Sequence, residues 1–250
     1  MEPFLTLTPE TLEQEHLCCA IADKKHQAGV AAKKQWLRER LAEGHVFRKL
    51  PVQGKVFIEY APLETAWVPV EGENYLYIYC LWVSGKYQKQ GYGSALLASC
   101  IEDAKAQGKS GVCILSGKKK LPFLSDPKFL KKHGFTVADE TPAGYTLCAL
   151  SFDGTMPRFT PQAKQQSISE QALTIYYGKQ CPFLPDCVKQ VQQYCEEAKL
   201  PLRLMPVETL EQAKEMPCVF QNWAVFYHGR LLTLQLLNAN SLQKLLEAEN

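Results

Sequence analysis

One stretch in the first half of the chain has the make-up of an anion cradle. The apolar run Tyr75–Val83 ends in a turn, Ser84–Gln90, which leads into Gly91-Tyr92-Gly93 and a helical pattern from about Ser94. A strand, turn and helix in this order aim several backbone N–H groups and the positive end of the helix dipole at one point, which suits a pyrophosphate. The two glycines permit positive φ and close approach of a ligand. Two commoner phosphate motifs are excluded. The dinucleotide pattern G-x-G-x-x-G needs Gly where Leu96 stands, and no G-x-x-x-x-G-K-[ST] run exists. A second candidate centre is a thiol. Cys181 precedes a helix expected to start near Pro185, where the helix dipole favours thiolate. Cys187 is the available resolving thiol, but Cys187, Val191, Cys195 and Ala198 share a helical stripe and read also as core. Within one regular helix six residues span about 9 Å, too far for a disulfide, so such a bond requires Cys181 to lie in the loop.

The chain has 250 residues, 46% of them apolar and 22% charged, with a net charge of +2, which is ordinary for a folded chain of one or two domains. That charge gives no reason to expect nucleic acid or an anionic membrane as a partner. Tyr75–Val83, the longest strongly apolar stretch, is about half of what a membrane span needs. Met1–Glu10 does not read as a signal peptide, so the ten cysteines are expected to be reduced thiols in a cytoplasm. Cys80, Cys100, Cys113 and Cys148 sit inside apolar runs as core residues. No pair of C-x-x-C motifs exists, and His16 beside Cys18 and Cys19 lacks a second half at ligand spacing, so no metal is expected.

The elements that position these residues follow from periodicity. Leu12 to about Gly44 reads as helical, with Trp36, Leu37 and Leu41 at helical spacing. Strands are predicted at Val46–Leu50, Lys55–Tyr60, Thr65–Val70 and Tyr75–Val83, then a helix over Ser94–Gln107 closed by Gly108. A buried strand Val112–Leu115, a short helix Lys128–His133 and strands Phe135–Val137 and Tyr145–Phe152 complete a first domain, 1–152. Residues 153–172 thin in apolar content and read as a linker. The remainder, 173–250, reads strand Leu173–Tyr177, helix Pro185–Ala198, strand Leu202–Val207, short helix Thr209–Glu215, a hairpin of Val219–Tyr227 and Leu231–Leu237, and helix Ser241–Ala248.

Leu81-Trp82-Val83 followed by Tyr87-Gln88-Lys89-Gln90-Gly91-Tyr92-Gly93 resembles the acetyl-coenzyme A signature of the GNAT superfamily of N-acetyltransferases, [QR]-x-x-G-x-[GA] after its fourth strand. Gln88, Gly91 and Gly93 match, and the order of elements over roughly 1–152 agrees, down to Gly134-Phe135. The resemblance implies an α/β fold, a mixed GNAT sheet flanked by helices. It implies acetyl-CoA as co-substrate, its pyrophosphate held by the amides of Gln88, Lys89, Gln90, Gly91, Tyr92, Gly93 and Ser94. Its pantetheine arm would pair with the backbone around Leu81, Trp82 and Val83, where the family's strands splay and leave an N–H to polarise the thioester. Lys118, Lys119, Lys120, Lys128, Lys131 and Lys132, opposed by Asp126, read either as a solvated face or as partners of the coenzyme A phosphates. The family often has a tyrosine where this chain has Leu130, so the usual acid is missing. The expected catalytic candidates are Glu59, with Glu64 near it, as base, and Tyr77 and Tyr79, placed on one strand face opposite Ile78 and Cys80. Trp36, Trp67 and Tyr145 are candidates to line the acceptor pocket or to fill the core.

The final 78 residues resemble the thioredoxin-like plan, making a second, small α/β domain. Cys181-Pro182-Phe183-Leu184 is similar to a glutaredoxin loop with Leu184 in place of the second cysteine, and Met216-Pro217-Cys218 to the loop whose proline is cis. The pairing of the two domains is similar to the YoaP-like acetyltransferases of bacteria. The reading is an acetyl-CoA-dependent N-acetyltransferase whose acceptor is a small-molecule or peptide amine, with the second domain docked on the first beside the acceptor cleft. The alternatives are a thiol-redox protein using Cys181 and an acetyl-CoA-sensing module without turnover.

Overall fold

The computed structural model describes residues 3–17, 20 and 24–249. The first half of the chain runs β1 (Leu5–Thr6), α1 (Gln27–Leu41), β2 (Val46–Lys49), β3 (Val56–Pro62), β4 (Val70–Glu71), β5 (Tyr75–Val83), α2 (Tyr92–Ala106), β6 (Gly111–Gly117), α3 (Pro127–Lys132), β7 (Thr136–Glu140) and β8 (Tyr145–Ser151). These strands, β4 apart, form a seven-stranded sheet in the order β1-β2-β3-β5-β6-β8-β7. Only β5 and β6 run parallel, because α2 carries the chain back between them. Alternation along the strands sends Val56, Ile58, Leu76 and Ile78 to the face that α2 covers with Leu96, Leu97 and Cys100. The other face carries Ala61, Tyr75, Tyr77 and Tyr79.

The second half runs β9 (Arg158–Phe159), α4 (Pro161–Gln165), β10 (Leu173–Tyr177), α5 (Leu184–Ala198), β11 (Leu202–Pro206), α6 (Leu210–Lys214), β12 (Trp223–Tyr227), β13 (Arg230–Thr233) and α7 (Ala239–Glu247). Its sheet has the order β11-β10-β12-β13, with β10 parallel to β11 and antiparallel to β12. Apolar stripes on α5 and α7 cover one face through Leu184, Val191, Leu242 and Leu246. The segment 153–172 connects the sheets but is not loose chain: β9 pairs with β4, Phe159 is buried, and Thr160 caps α4 by accepting from the Ala163 N–H.

Several boundaries differ from the sequence reading. The regular helix begins at Gln27 rather than near Leu12; turns occupy residues 9–14. Thr65–Val70 is not a strand. Pro69 interrupts it, and the Val68 and Val70 N–H groups each bond the carbonyl two residues back, coiling the segment into tight turns. Val219 and Phe220 are buried in a loop, and the strand starts at Trp223. Every described peptide bond is trans, that of Pro217 included. Trans is the lower-energy isomer, and here it lets the Pro217 carbonyl accept from the Gln166 N–H at 2.9 Å.

The two halves are pressed together at defined points. Gly29 of α1 lies so close to the loop before α5 that a Cβ there would overlap the Pro182 carbonyl. Lys25 pairs with Asp186 at 2.9 Å, and His26 meets the Phe183 ring edge-on. Lys214 of α6 donates to the carbonyls of Leu63 (2.7 Å) and Val70 (3.3 Å), and burial pulls its pKa down to about 8. We predict that Gly29→Leu separates this contact. Stability should fall by about 1–3 kcal/mol, the usual cost of overpacking, in denaturant titrations. Hydrogen exchange should quicken first at the Phe183 and Leu184 amides, and unchanged exchange there would contradict the packing described.

Candidate active site

The turn after β5 has the geometry of an anion cradle. A single 3-10 turn, Gly85–Tyr87, drops the chain below the strand end, and Lys89 and Gly91 both take positive φ, 62° and 85°. Gly91 is the N-cap of α2; among the described residues no side chain caps this helix, and its first turn holds no acid. The first-turn amides therefore point outward with the dipole behind them. A Cβ on Gly91 would meet nothing within 4 Å, so the glycine is required by its φ and by whatever approaches from outside, not by packing. Gln88 Nε2 donates to the Val83 carbonyl at 3.2 Å, and Ser94 Oγ lies 3.1 Å from His133 Nε2, tying α2 to α3.

Beside the cradle the sheet splits. The β5–β6 ladder runs from Tyr75–Gly111 to Ile78–Ile114 and ends there, although both strands continue to Val83 and Gly117. The β6-facing backbone edge of Tyr79–Val83 is thus free of ladder partners. On the opposite edge β3 stays paired, but its register jumps: Glu59 faces Cys80 and Tyr60 faces Ile78, leaving Tyr79 as the extra residue of a β-bulge. The bulge turns Cys80 onto the same face as Tyr79. This corrects the expectation from simple alternation that Tyr77 and Tyr79 lie opposite both Ile78 and Cys80: Ile78 is on the α2 side, and Cys80 is not.

The face so exposed opens on a cavity of about 310 Å³ between the two halves of the molecule. Phe57, Glu59, Cys80 and Trp82 line it from the large sheet. Gln180, Cys181, Phe183 and Trp223 line it from the small one. Glu59 is 2% exposed. Its Oε1 accepts from Lys33 Nζ, from His45 Nε2 at 2.8 Å and from Gln180 Nε2 at 3.4 Å, while Oε2 has no hydrogen bond among the described residues. Burial pushes the Glu59 carboxyl up, and the Lys33 ammonium and the His45 imidazole more than reverse this, holding it at about 2. Burial likewise lowers the His45 pKa while Glu59 raises it, and because a carboxylate can only accept, the His45 nitrogen facing it, Nε2, is the one that donates. The result is a buried Glu59–Lys33 ion pair in the wall of a largely apolar chamber.

Comparison with known proteins identifies this architecture. The model of the acetyltransferase (GNAT) family matches residues 10–135, and a YoaP-like model matches residues 201–244. A protein of Bacillus subtilis (strain 168) called uncharacterized N-acetyltransferase YoaP is 40% identical over 245 residues, 97% of this chain and 98% of that one. The chain belongs to the GNAT family of acetyltransferases. Among solved structures, a GNAT acetyltransferase of Brucella melitensis in complex with acetyl-CoA is 14% identical, with a TM-score of 0.41 over 63% of this chain and 92% of that one. YncA of Salmonella typhimurium with acetyl-CoA is 15% identical, with a TM-score of 0.43 over 61% and 95%.

Within this GNAT chain the residues singled out from sequence divide sharply. Glu59 reaches the cavity. Tyr77 and Tyr79 do not line it: both are buried, burial drives their phenol pKa values up, the Tyr79 hydroxyl accepts from the Trp67 N–H at 2.7 Å, and the Tyr79 ring stacks on His45. Glu64 accepts from the Asn74 N–H elsewhere. Tyr145 lines the cavity, whereas Trp36 is buried core and Trp67 packs against it. Leu130 is buried under α2 and offers no acid. Cys181 lies in the loop before α5 and lines the cavity, while burial pushes the Cys187 thiol up to about 11, unlike a poised resolving cysteine. Lys118 pairs with Glu140, and Lys119, Lys120, Lys128, Lys131 and Lys132 are exposed; Asp126 is the cap of α3. His16 bonds the Gly54 carbonyl and Lys49; Cys18 and Cys19 lie outside the described residues.

Lys33, His45 and Gln180 were not anticipated. Lys33 left one trace: it sits three and four residues before Trp36 and Leu37, on the apolar stripe of its helix, where a charge needs a buried partner.

The Glu59 shift makes a pH prediction. A carboxyl lowered from 4.5 to about 2 on folding contributes stability that is complete above pH 4.5 and lost as pH falls towards 2. The loss is on the order of 3 kcal/mol. Denaturant midpoints across this window should slope downward with acid in the unaltered protein. Glu59→Gln should be less stable at pH 7 by roughly 3 kcal/mol, because Lys33 is left without a counter-charge, and its slope should be shallower.

Proposed function

We propose that this protein moves an acetyl group from acetyl-coenzyme A to a primary amine held in the cavity between its two halves. The observation that carries the reading is the splayed end of β5. On one side of it lie the uncapped amides at Gly91 and the Tyr79–Val83 backbone edge, which has no β6 ladder partner although the Tyr79 carbonyl accepts from Gln221 Nε2; on the sheet face lies the cavity with Glu59. The residues present fit the co-substrate. The amides of Gln88–Ser94 would hold its pyrophosphate, and the open space in front of Gly91 leaves room for it. The backbone of Leu81 would pair with the pantetheine arm; the Val83 carbonyl is already used by Gln88, so Leu81 carries more of that pairing.

When bound, the co-substrate supplies an acetyl thioester at the split in the sheet. A free N–H of the Tyr79–Val83 edge donates to the thioester oxygen as charge grows there. The amine nitrogen forms the new C–N bond, the C–S bond breaks, and coenzyme A leaves as thiolate. Glu59, ionised across the neutral range and paired with Lys33, would orient the acceptor amine through its second oxygen. A carboxylate held near 2 is a weak base, so cavity water takes the amine proton and Glu59 stabilises the charge as it passes. Tyr77 and Tyr79 act as braces for His45 rather than on the substrate.

The strand order and helix placement of residues 173–250 support a thioredoxin-like lobe, and its loop brings Cys181 to the cavity, which favours thiol chemistry as the second reading. Two variants separate them. Calorimetry should show micromolar acetyl-CoA binding that Gly91→Glu weakens by about a hundredfold or more, through charge repulsion in the cradle, with unchanged circular dichroism. No binding to the unaltered protein would sink the transferase reading. Cys181→Ser should keep amine-dependent release of coenzyme A; its loss would move the chemistry to the thiol.

A further inference from the structure

The floor of the cavity is built from rungs of the β3–β5 ladder. Phe57 stands opposite Trp82 and Glu59 opposite Cys80, and all four line the cavity. One rung further out is Lys55, which also lines it and whose carbonyl accepts from the Ser84 N–H at 3.0 Å. Residues two apart on a strand share a face, so Lys55, Phe57 and Glu59 form one column. Phe183 adds aromatic surface from the small lobe, and Leu115 and Leu121 add apolar surface from β6 and the loop after it.

The charges of this column do not call for a cation. Glu59 is paired with Lys33 and both are buried, so together they bring no net charge. Lys55, half-buried, adds a positive one. An alkylammonium would enter such a chamber at a cost, because a charge leaving water needs an opposite charge within reach. An amine whose lone pair is drawn into an aromatic ring is uncharged at neutral pH and avoids that cost. It also suits a site whose carboxylate is a weak base. Once such an amine has attacked the thioester, its nitrogen is a far stronger acid than an alkylammonium, and water suffices to take the proton. Phe57, Trp82 and Phe183 offer the surface that aromatic rings pack on, and a volume of about 310 Å³ holds a small ring system.

We propose that the acetyl acceptor is an apolar aromatic amine, uncharged at neutral pH, whose rings lie on the Phe57–Trp82 rung. The inference rests on the reading of the cavity as the acceptor site. The amine nitrogen forms a bond to the acetyl carbon, and the C–S bond breaks with its electron pair on sulfur. The nitrogen loses one proton, which passes through water to solvent or to the departing thiolate. The product is a neutral anilide.

The test uses the full chain and two amines of one carbon skeleton: 1-naphthylamine, uncharged at pH 7, and its partly saturated counterpart 1-aminotetralin, charged at pH 7. Each is titrated by calorimetry with and without coenzyme A. At pH 7 1-naphthylamine should bind about tenfold or more tighter. Between pH 6 and pH 7.5 its affinity should stay level, while that of 1-aminotetralin should climb about tenfold or more as its uncharged fraction grows. Lys55→Glu puts a negative charge in the column and should narrow the gap between the two amines about fivefold. Should that variant fold poorly, the pH series on the unaltered protein decides alone. Equal or tighter binding of 1-aminotetralin at pH 7 would make the aromatic walls a cage for a cation and overturn the proposal. So would no binding of 1-naphthylamine at millimolar concentration, or a gap that folded Lys55→Glu leaves unmoved. Acetyl-CoA binding in the same preparations reports on the transferase reading separately. Binding of 1-naphthylamine without binding of acetyl-CoA would keep the ligand class and discard the reaction.

Discussion

A single buried ion pair, Glu59 with Lys33, organises this molecule. An isolated carboxylate with 2% exposure would cost several kcal/mol to desolvate, so Glu59 is tolerable only with donors in place. Those donors come from three separate places: Lys33 on α1, His45 just before β2, and Gln180 in the loop that opens the second sheet's first helix. Removing any one leaves charge or polarity unpaired in a buried site. The carboxylate therefore fixes the position of α1 over the large sheet and the position of the small lobe against it. Gly29 gives the same message sterically, since α1 can reach Pro182 only where no side chain intervenes. The charge that shapes the cavity is also the one that holds its two walls together.

The second constraint is the break in the sheet. A parallel pair sharing a full ladder would have no free edge. Here β5 and β6 pair for four residues and then part, and the bulge at Tyr79 adds a local bend on the β3 side of the same strand. Bulges increase twist, and twist at the end of a shared ladder carries strands apart. One irregularity thus has two effects: the separation leaves a backbone edge beside the Gly91 amides, and the bulge rotates Cys80 and Trp82 towards the cavity. The cradle and the chamber are opposite sides of one displaced strand end.

What could be read from sequence follows from range. The segment Tyr75–Gly93 was legible because its meaning is local: an apolar strand, a glycine at positive φ (Gly91) and an uncapped helix start are written in consecutive residues, although Gly93, expected to share that conformation, lies inside α2. Leu173–Tyr177 and the helix after it were legible for the same reason, as was the loop position of Cys181. Glu59 was identified as a carboxylate of interest, but its state was not, since Lys33 and Gln180 are 26 and 121 residues away from it. The face of Cys80 was misassigned because strict alternation has no term for a bulge, whose cause is the pairing with β3. Thr65–Val70 has strand composition and yet coils, because Pro69 removes a donor and the neighbouring N–H groups close on nearby carbonyls.

The small lobe is better understood as part of the site than as an appendage. Seventy-eight residues bury a limited core, and the face formed by Met216, Cys218 and Phe220 is completed by Trp67 from the other half. The dependence runs both ways. Without Gln180 and the loop around it, Glu59 would be open to water, its interactions with Lys33 and His45 would weaken, and the cavity would lose the wall that carries Cys181, Phe183 and Trp223. The large sheet by itself supplies the amide cradle and the split strands. The chamber that Glu59 lines exists only where the two sheets meet, so whatever it holds is walled by the interface and not by either fold alone.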